Sequence, residues 1–264
     1  MKKANLIVCL VSLLLSLGQV AFAQAKVLNT QDTVFQVSTL GALQEGVYDG
    51  ALSIKDLKSQ GNIGIGTFDG LEGELVLLDG QCYQIKADGK VYKVADNMTT
   101  PFAAVTFFDV DKTINITQPI SNYAQLQEAI LAALPTPNIP YVIKISGNFK
   151  YVKTRSVPKQ TKPYPRLVEV TKNQPTFEDQ NIKGTLVGFW LPQYLAGANM
   201  AGFHLHFISD DLKFGGHLLE CELVSGTVQI DYSYGLQLVL PNQSDFFRTD
   251  LSVNKEEELK KIEK

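Results

Sequence analysis

The chain has 264 residues, a formal net charge of −3, 45% hydrophobic residues and three cysteines. That length and composition suit a core-forming globular protein of one large or two small domains, and exclude a disulfide-stapled miniature. The balance is acidic and no basic stripe is present to collect phosphates, which excludes nucleic acid as a partner.

The first residues read as an address. Met1-Lys2-Lys3 is a basic start, Leu6 to Leu17 is an apolar run, and Ala21-Phe22-Ala23 before Gln24 has the small-residue pattern of a cleavage site. Residues 1–23 are therefore expected to be a signal peptide, and the protein to be secreted or extracytoplasmic after cleavage near Ala23-Gln24. The apolar run is too short for a stable span, so no membrane anchor is expected. Beyond Gln24 only Cys82 and Cys221 remain. A disulfide between them is permitted outside the cell but not implied.

Thr33 to Ser38 alternates and predicts a first strand. Ser38 to Gly46 predicts a short capped helix ended by glycine, and Ser53 to Gly61 repeats that design with Ser53 as the cap. A dense β region follows: Ile63 to Phe68, Glu74 to Leu78, Gln81 to Ile85 and Val91 to Val94, with tight turns at Asp79-Gly80 and Asp88-Gly89. Pro101 to Phe108 predicts a strand buried on both faces. Asn122 to Leu134 predicts the one long helix, capped by Asn122, with Leu126, Ile130 and Leu131 on its apolar face and Pro135 and Pro137 stopping it. Tyr141 to Val152 reads as a long strand with Thr154 to Pro158 as its tail. Lys159 to Asn181 is rich in Lys and Pro and aperiodic, and reads as a surface loop. Ile182 to Trp190 is a strand, Gly202 to Ser209 another, and a later one starts at Thr227 to Asp231 and runs on towards Leu240. Val253 to Lys264 is a charged tail, read as a frayed helix.

The expected fold is a β-rich α/β protein of two packed, mostly antiparallel or mixed sheets with a few helices. An N-terminal β-rich domain (24–160) holds the long helix. A C-terminal sheet domain (161–252) carries the histidines, and residues 253–264 form the tail.

All three histidines, His204, His206 and His217, lie within fourteen residues. In a strand, positions two apart share a face at roughly 6 to 7 Å. Asp210 to Gly216 breaks the pattern as a hairpin loop, so His217 can return opposite His206 with Cβ atoms about 5 Å apart. Three imidazoles on one face make a three-point metal site with an open fourth position, the pattern of a catalytic zinc site. The neighbours decide its chemistry. Glu74, Arg155 and the terminal carboxylates Glu256 to Glu263 are the candidates, each with solvated surface charge as its ordinary reading.

Several runs resemble the bacterial acetolactate decarboxylases: Thr33-Val-Phe-Gln-Val-Ser-Thr-Leu-Gly-Ala-Leu43, Gly46-Val-Tyr-Asp-Gly50, Gly66-Thr-Phe-Asp-Gly-Leu-Glu-Gly-Glu-Leu75 with Leu78-Asp-Gly80, and Phe203-His-Leu-His206 with Gly215-Gly-His217. The likeness covers nearly the whole chain after Gln24. It implies decarboxylation of 2-acetolactate to acetoin and carbon dioxide through a metal-stabilised enediolate, with Zn2+ held by His204, His206 and His217. It also implies active-site roles for Glu74, Arg155 and Glu263, and a place for Thr67 in the lining. Arg155 would orient the substrate, and Glu74 or Glu263 would deliver a proton to one face. Two other readings stay open on the residues alone: a zinc hydro-lyase or hydrolase using metal-bound hydroxide, and a non-catalytic secreted metal-binding protein. A homodimer through an exposed sheet edge is the expected assembly.

Overall fold

Alternating apolar residues put most of the chain into strands. The computed structural model describes residues 30–252. The expected signal peptide and the tail from Val253, with Glu263, lie outside the described residues. In chain order the strands are β1 (Thr33–Val37), β2 (Leu52–Ser53), β3 (Ile63–Thr67), β4 (Glu74–Leu78), β5 (Gln81–Ile85), β6 (Val91–Lys93), β7 (Thr99–Thr100), β8 (Ala103–Thr106), β9 (Lys112–Ile116), β10 (Tyr141–Arg155), β11 (Thr176–Leu191), β12 (Gly202–Ser209), β13 (Gly215–Tyr232) and β14 (Gly235–Val239). The helices are α1 (Leu40–Gln44), α2 (Ile54–Lys58), α3 (Tyr123–Leu131), α4 (Leu167–Thr171) and α5 (Ser244–Arg248).

A seven-stranded sheet has the order β14-β1-β8-β3-β4-β5-β6, and a five-stranded sheet the order β10-β11-β12-β13-β9. All pairs are antiparallel except β1 with β14. In the second sheet β10 also pairs with β13, so β10, β11, β12 and β13 curl round on themselves.

Strand parity sorts the side chains into layers. On β10, Tyr141, Ile143 and Ile145 belong to a cluster enclosed by the curled sheet and covered by Leu126 and Ile130 of α3, whereas Val142 faces the first sheet. The layer between the sheets combines Val34, Ile63, Ile65 and Val76 with Val142, Val187, Phe189 and Ile208. The outer face of the first sheet is covered by Ile54 and Leu57 of α2. Fully burying each such aliphatic or aromatic side chain stabilises the fold by roughly 1.5–3 kcal/mol. The cap of α3 is as predicted: Asn122 Oδ1 accepts from the Gln125 backbone N–H at 2.8 Å, and the Ser121 N–H donates to Gln125 Oε1 at 2.8 Å. The first bond satisfies one of the N-terminal donors that helix geometry leaves open, and the second ties down the residue before the cap. Leu131, expected on the apolar face, is exposed at the end of the helix.

Four expectations change. The surface loop assigned to Lys159–Asn181 contains α4 and the first residues of β11, which begins at Thr176 and pairs with Arg155. The strand starting at Thr227 is the second half of β13, continuous from Gly215. Ser225-Gly226 reads as a break, but the long partner β10 carries the pairing across it, with a register shift that leaves Val224 unpaired in a bulge. Residues 235–239 do not extend that strand; they cross to the first sheet and lie parallel to β1. The boundary expected between residues 160 and 161 falls between β10 and β11, which are hydrogen-bonded neighbours. Cys82 and Cys221 are free thiols in different clusters, and burial pushes both up to about 12. Among the described residues no helix is long and apolar enough to cross a membrane.

Candidate metal centre and pocket

The β12–β13 hairpin is set by its own loop. Ser209 Oγ accepts from the backbone N–H groups of Lys213 and Phe214 at 3.1 and 3.0 Å, and the Ser209 N–H donates to the Phe214 carbonyl at 2.9 Å. That fixes the register His206↔His217, Phe207↔Gly216, Ile208↔Gly215. Parity then separates the faces: Phe203, Leu205 and Phe207 enter the enclosed cluster, while Ile208 lies between the sheets and His206 and His204 share its parity.

The three rings meet as the spacing predicts. Their centroids are 5.0 to 5.4 Å apart, and one nitrogen from each lies within 4.8 Å of the others. His206 Nδ1 is 3.0 Å from the Leu75 carbonyl oxygen of β4. A carbonyl only accepts, so Nδ1 carries the proton and Nε2 presents its lone pair. That Nε2 is buried and has no hydrogen-bond partner. His206 and His217 are both held well below the ordinary imidazole range. Burial is the main cause, followed for His206 by the neighbouring His217 and then Arg155, and for His217 by Arg155. Two neutral imidazoles, a third beside them and a stranded buried lone pair are what a borderline-soft divalent cation such as zinc requires. Among the described residues, this donor set fits a metal of that kind.

The first sheet brings a carboxylate to this cluster. Glu74 opens β4 and is paired in register with Thr67 of β3; its Oε2 lies 3.5 Å from His206 Nε2. Gly73 makes the approach possible. Its φ of +77° is a left-handed value that favours glycine, and a Cβ there would strike the Ile85 backbone. Thr67 is buried, and its hydroxyl donates to the Gly73 carbonyl at 2.7 Å. Arg155 ends β10 directly opposite His217, is 4% exposed, and donates from Nη1 to Gln174 Oε1 at 2.7 Å.

These groups line one pocket of about 490 Å³, solvent-filled mouth included, with His204, His206, His217, Glu74, Thr67 and Arg155 at its polar end. Leu40 and Leu43 of α1, Leu71, Phe102, Val157 and Leu167 of α4 form its apolar wall. The structure therefore brings together six of the seven site residues expected from the sequence. Glu263 lies outside the described residues. Sequence reasoning missed the apolar wall and Gln174: α1 and α4 are five-residue helices, too short for a periodic signal, and Gln174 sits in an aperiodic connection.

A family model described as alpha-acetolactate decarboxylase matches residues 34–253. An alpha-acetolactate decarboxylase of Methanosarcina mazei is 47% identical over 236 residues, 89% of this chain and 82% of that protein. One of Bacillus licheniformis is 42% identical over 84% of this chain and 87% of its own. The crystal structure of alpha-acetolactate decarboxylase from Bacillus subtilis strain 168 superposes with a TM-score of 0.85 at 38% identity, covering 88% of this chain and 99% of that one. Fold and sequence together place the chain among the carboxy-lyases. It belongs to the alpha-acetolactate decarboxylase family.

Proposed function

We propose that this protein decarboxylates 2-acetolactate to acetoin and carbon dioxide, using a zinc ion held by His204, His206 and His217. The observation that carries the reading is the stranded Nε2 of His206, grouped with two other imidazoles and faced by Glu74 across the sheet interface. A zinc ion bound by neutral imidazoles supplies an undiminished double positive charge, a Lewis acid for the negative charge that develops as carbon dioxide leaves.

The protein's own groups do the rest. Arg155 receives the substrate carboxylate through charge-assisted hydrogen bonds and orients it beside the histidines. The apolar wall keeps water from the reacting carbon and raises the strength of each electrostatic contact within. Glu74, or Glu263 from the tail, delivers a proton to one face of that carbon and so sets the configuration of acetoin. Thr67, tied to Gly73, shapes the floor beside Glu74.

The test combines a metal assay with acetoin formation before and after chelation, and compares Glu74→Gln with Glu263→Gln for rate and product chirality. Loss of activity on chelation with recovery by zinc supports the reading. An active chelated enzyme, or two variants with full activity and full stereoselectivity, would sink it. The same preparation, recovered from outside the cell, tests export and assembly: a mature N-terminus at Gln24 and the mass of two chains are the expected results.

A further inference from the structure

Arg155 lies at the end of a strand, where a long side chain has many rotamers to choose from. Its guanidinium is nevertheless held in the pocket wall, with Nη1 bonded to Gln174 Oε1 at 2.7 Å. Strand pairing brings Gln174 there: Arg155 is the register partner of Thr176, and the Ser156 N–H donates to the Pro175 carbonyl at 3.3 Å. Pro175 keeps the backbone of Gln174 away from the helical region, so the chain leaves α4 and enters β11 extended. On its other side Gln174 is tied to α4 by its N–H bonded to the Thr171 carbonyl at 3.4 Å, and Thr171 and Leu167 both line the pocket. The segment is itself latched to the end of α1, where Arg166 Nη2 and Nε reach Glu45 Oε1 at 2.9 and 3.3 Å.

The acceptor that Gln174 offers Arg155 is an amide oxygen. An amide oxygen orients a guanidinium without bringing a charge of its own. A carboxylate in its place would pair with the guanidinium and compete with a carboxylate arriving from solvent. We infer that Gln174 is a positioning residue for the reaction, aiming the Arg155 guanidinium at the substrate carboxylate while contributing no charge. The inference rests on the proposed function for the identity of the substrate, and on geometry for the role.

Two variants separate orientation from charge. Gln174→Met keeps the volume and removes the acceptor; Gln174→Glu keeps the acceptor and adds a negative charge. With the zinc-loaded enzyme and 2-acetolactate, Gln174→Met is expected to lower kcat/KM about 10- to 100-fold, the range for losing a hydrogen bond to a charged group. Gln174→Glu is expected to raise KM at least as far, with Tm close to wild type in both. Calorimetry with 2-hydroxy-2-methylpropanoate, which has the carboxylate but no ketone and cannot decarboxylate, should show the same order of weakening. Binding of acetoin, which lacks the carboxylate, should stay within two-fold in all three proteins. Carboxylate affinities within two-fold of wild type in both variants would overturn the inference. Equal losses for the carboxylate and for acetoin would overturn it too, since that marks general damage to the pocket, as would a wild type that binds no carboxylate. A wild type that binds the carboxylate but forms no acetoin overturns the proposed reaction alone.

Discussion

Metal-free protein should lose stability steeply as pH falls from 7 to 5.5, and the two buried histidines set the size of the loss. His206 and His217 stay neutral in the fold because burial disfavours their charged forms, and both lie well below the ordinary imidazole value of 6.5. In the unfolded chain each takes up a proton near 6.5. The unfolded state therefore binds more protons than the native state below that pH, and stability falls as pH falls. One unit below 6.5 each histidine costs about 1.4 kcal/mol, so the pair removes about 2.8 kcal/mol by pH 5.5. That is a large share of the roughly 5–15 kcal/mol that holds a domain together. The window lies above the range where ordinary carboxylates titrate. Urea unfolding of the chelated protein at several pH values measures the slope. The double variant His206→Gln/His217→Gln, unfolded under the same conditions, provides the reference and cancels every other titrating group. A pH dependence that is the same in both proteins would refute the claim that these rings are buried and neutral in the metal-free fold.

Gly188 of β11 packs so closely on β12 that a Cβ there would meet the His204 carbonyl oxygen. Gly188→Ala should push β12 away and weaken zinc binding by about 10- to 100-fold, the scale of disturbing the support behind metal ligands; competition with a chromophoric chelator measures it, and unchanged affinity would count against the site. Asp231 is buried where β13 ends, accepts from the Asp109 N–H at 3.2 Å, and is raised to about 7 by burial and then by Asp111, Asp32 and Asp109. A carboxyl raised in this way stabilises the fold most at low pH and loses that contribution as pH climbs through about 7. Asp231→Asn should therefore be the more stable protein at pH 8, by at most about 4 kcal/mol, and indistinguishable near pH 4. A variant less stable than wild type at pH 8 would contradict this.

The histidine hairpin was legible because everything it needs is local. The parity of His204 and His206, the turn residues from Asp210 to Lys213, and the return at Gly215 all lie within one supersecondary unit. The caps of α2 and α3 were legible for the same reason: Ser53 and Asn122 act on N–H groups three residues away. The strand breaks were harder. Val224-Ser225-Gly226 has a turn composition, and only the length of β10 opposite it keeps those residues in a strand. Nothing near Gly235 shows that its partner is Thr33, some two hundred positions earlier.

The amino-acid order alone determined that three histidines meet on one hairpin, the β-rich class and, through runs such as Gly66 to Leu75, the family. Only the tertiary structure decided that Glu74 of one sheet meets His206 of the other, that α1 and α4 wall the pocket, and that Gln174 holds Arg155. The physical reason is range. Periodicity and turn chemistry act over a few residues and can place a side chain on a face. Which two faces come together is settled by burying apolar layers from distant parts of the chain, a free energy that belongs to the whole fold.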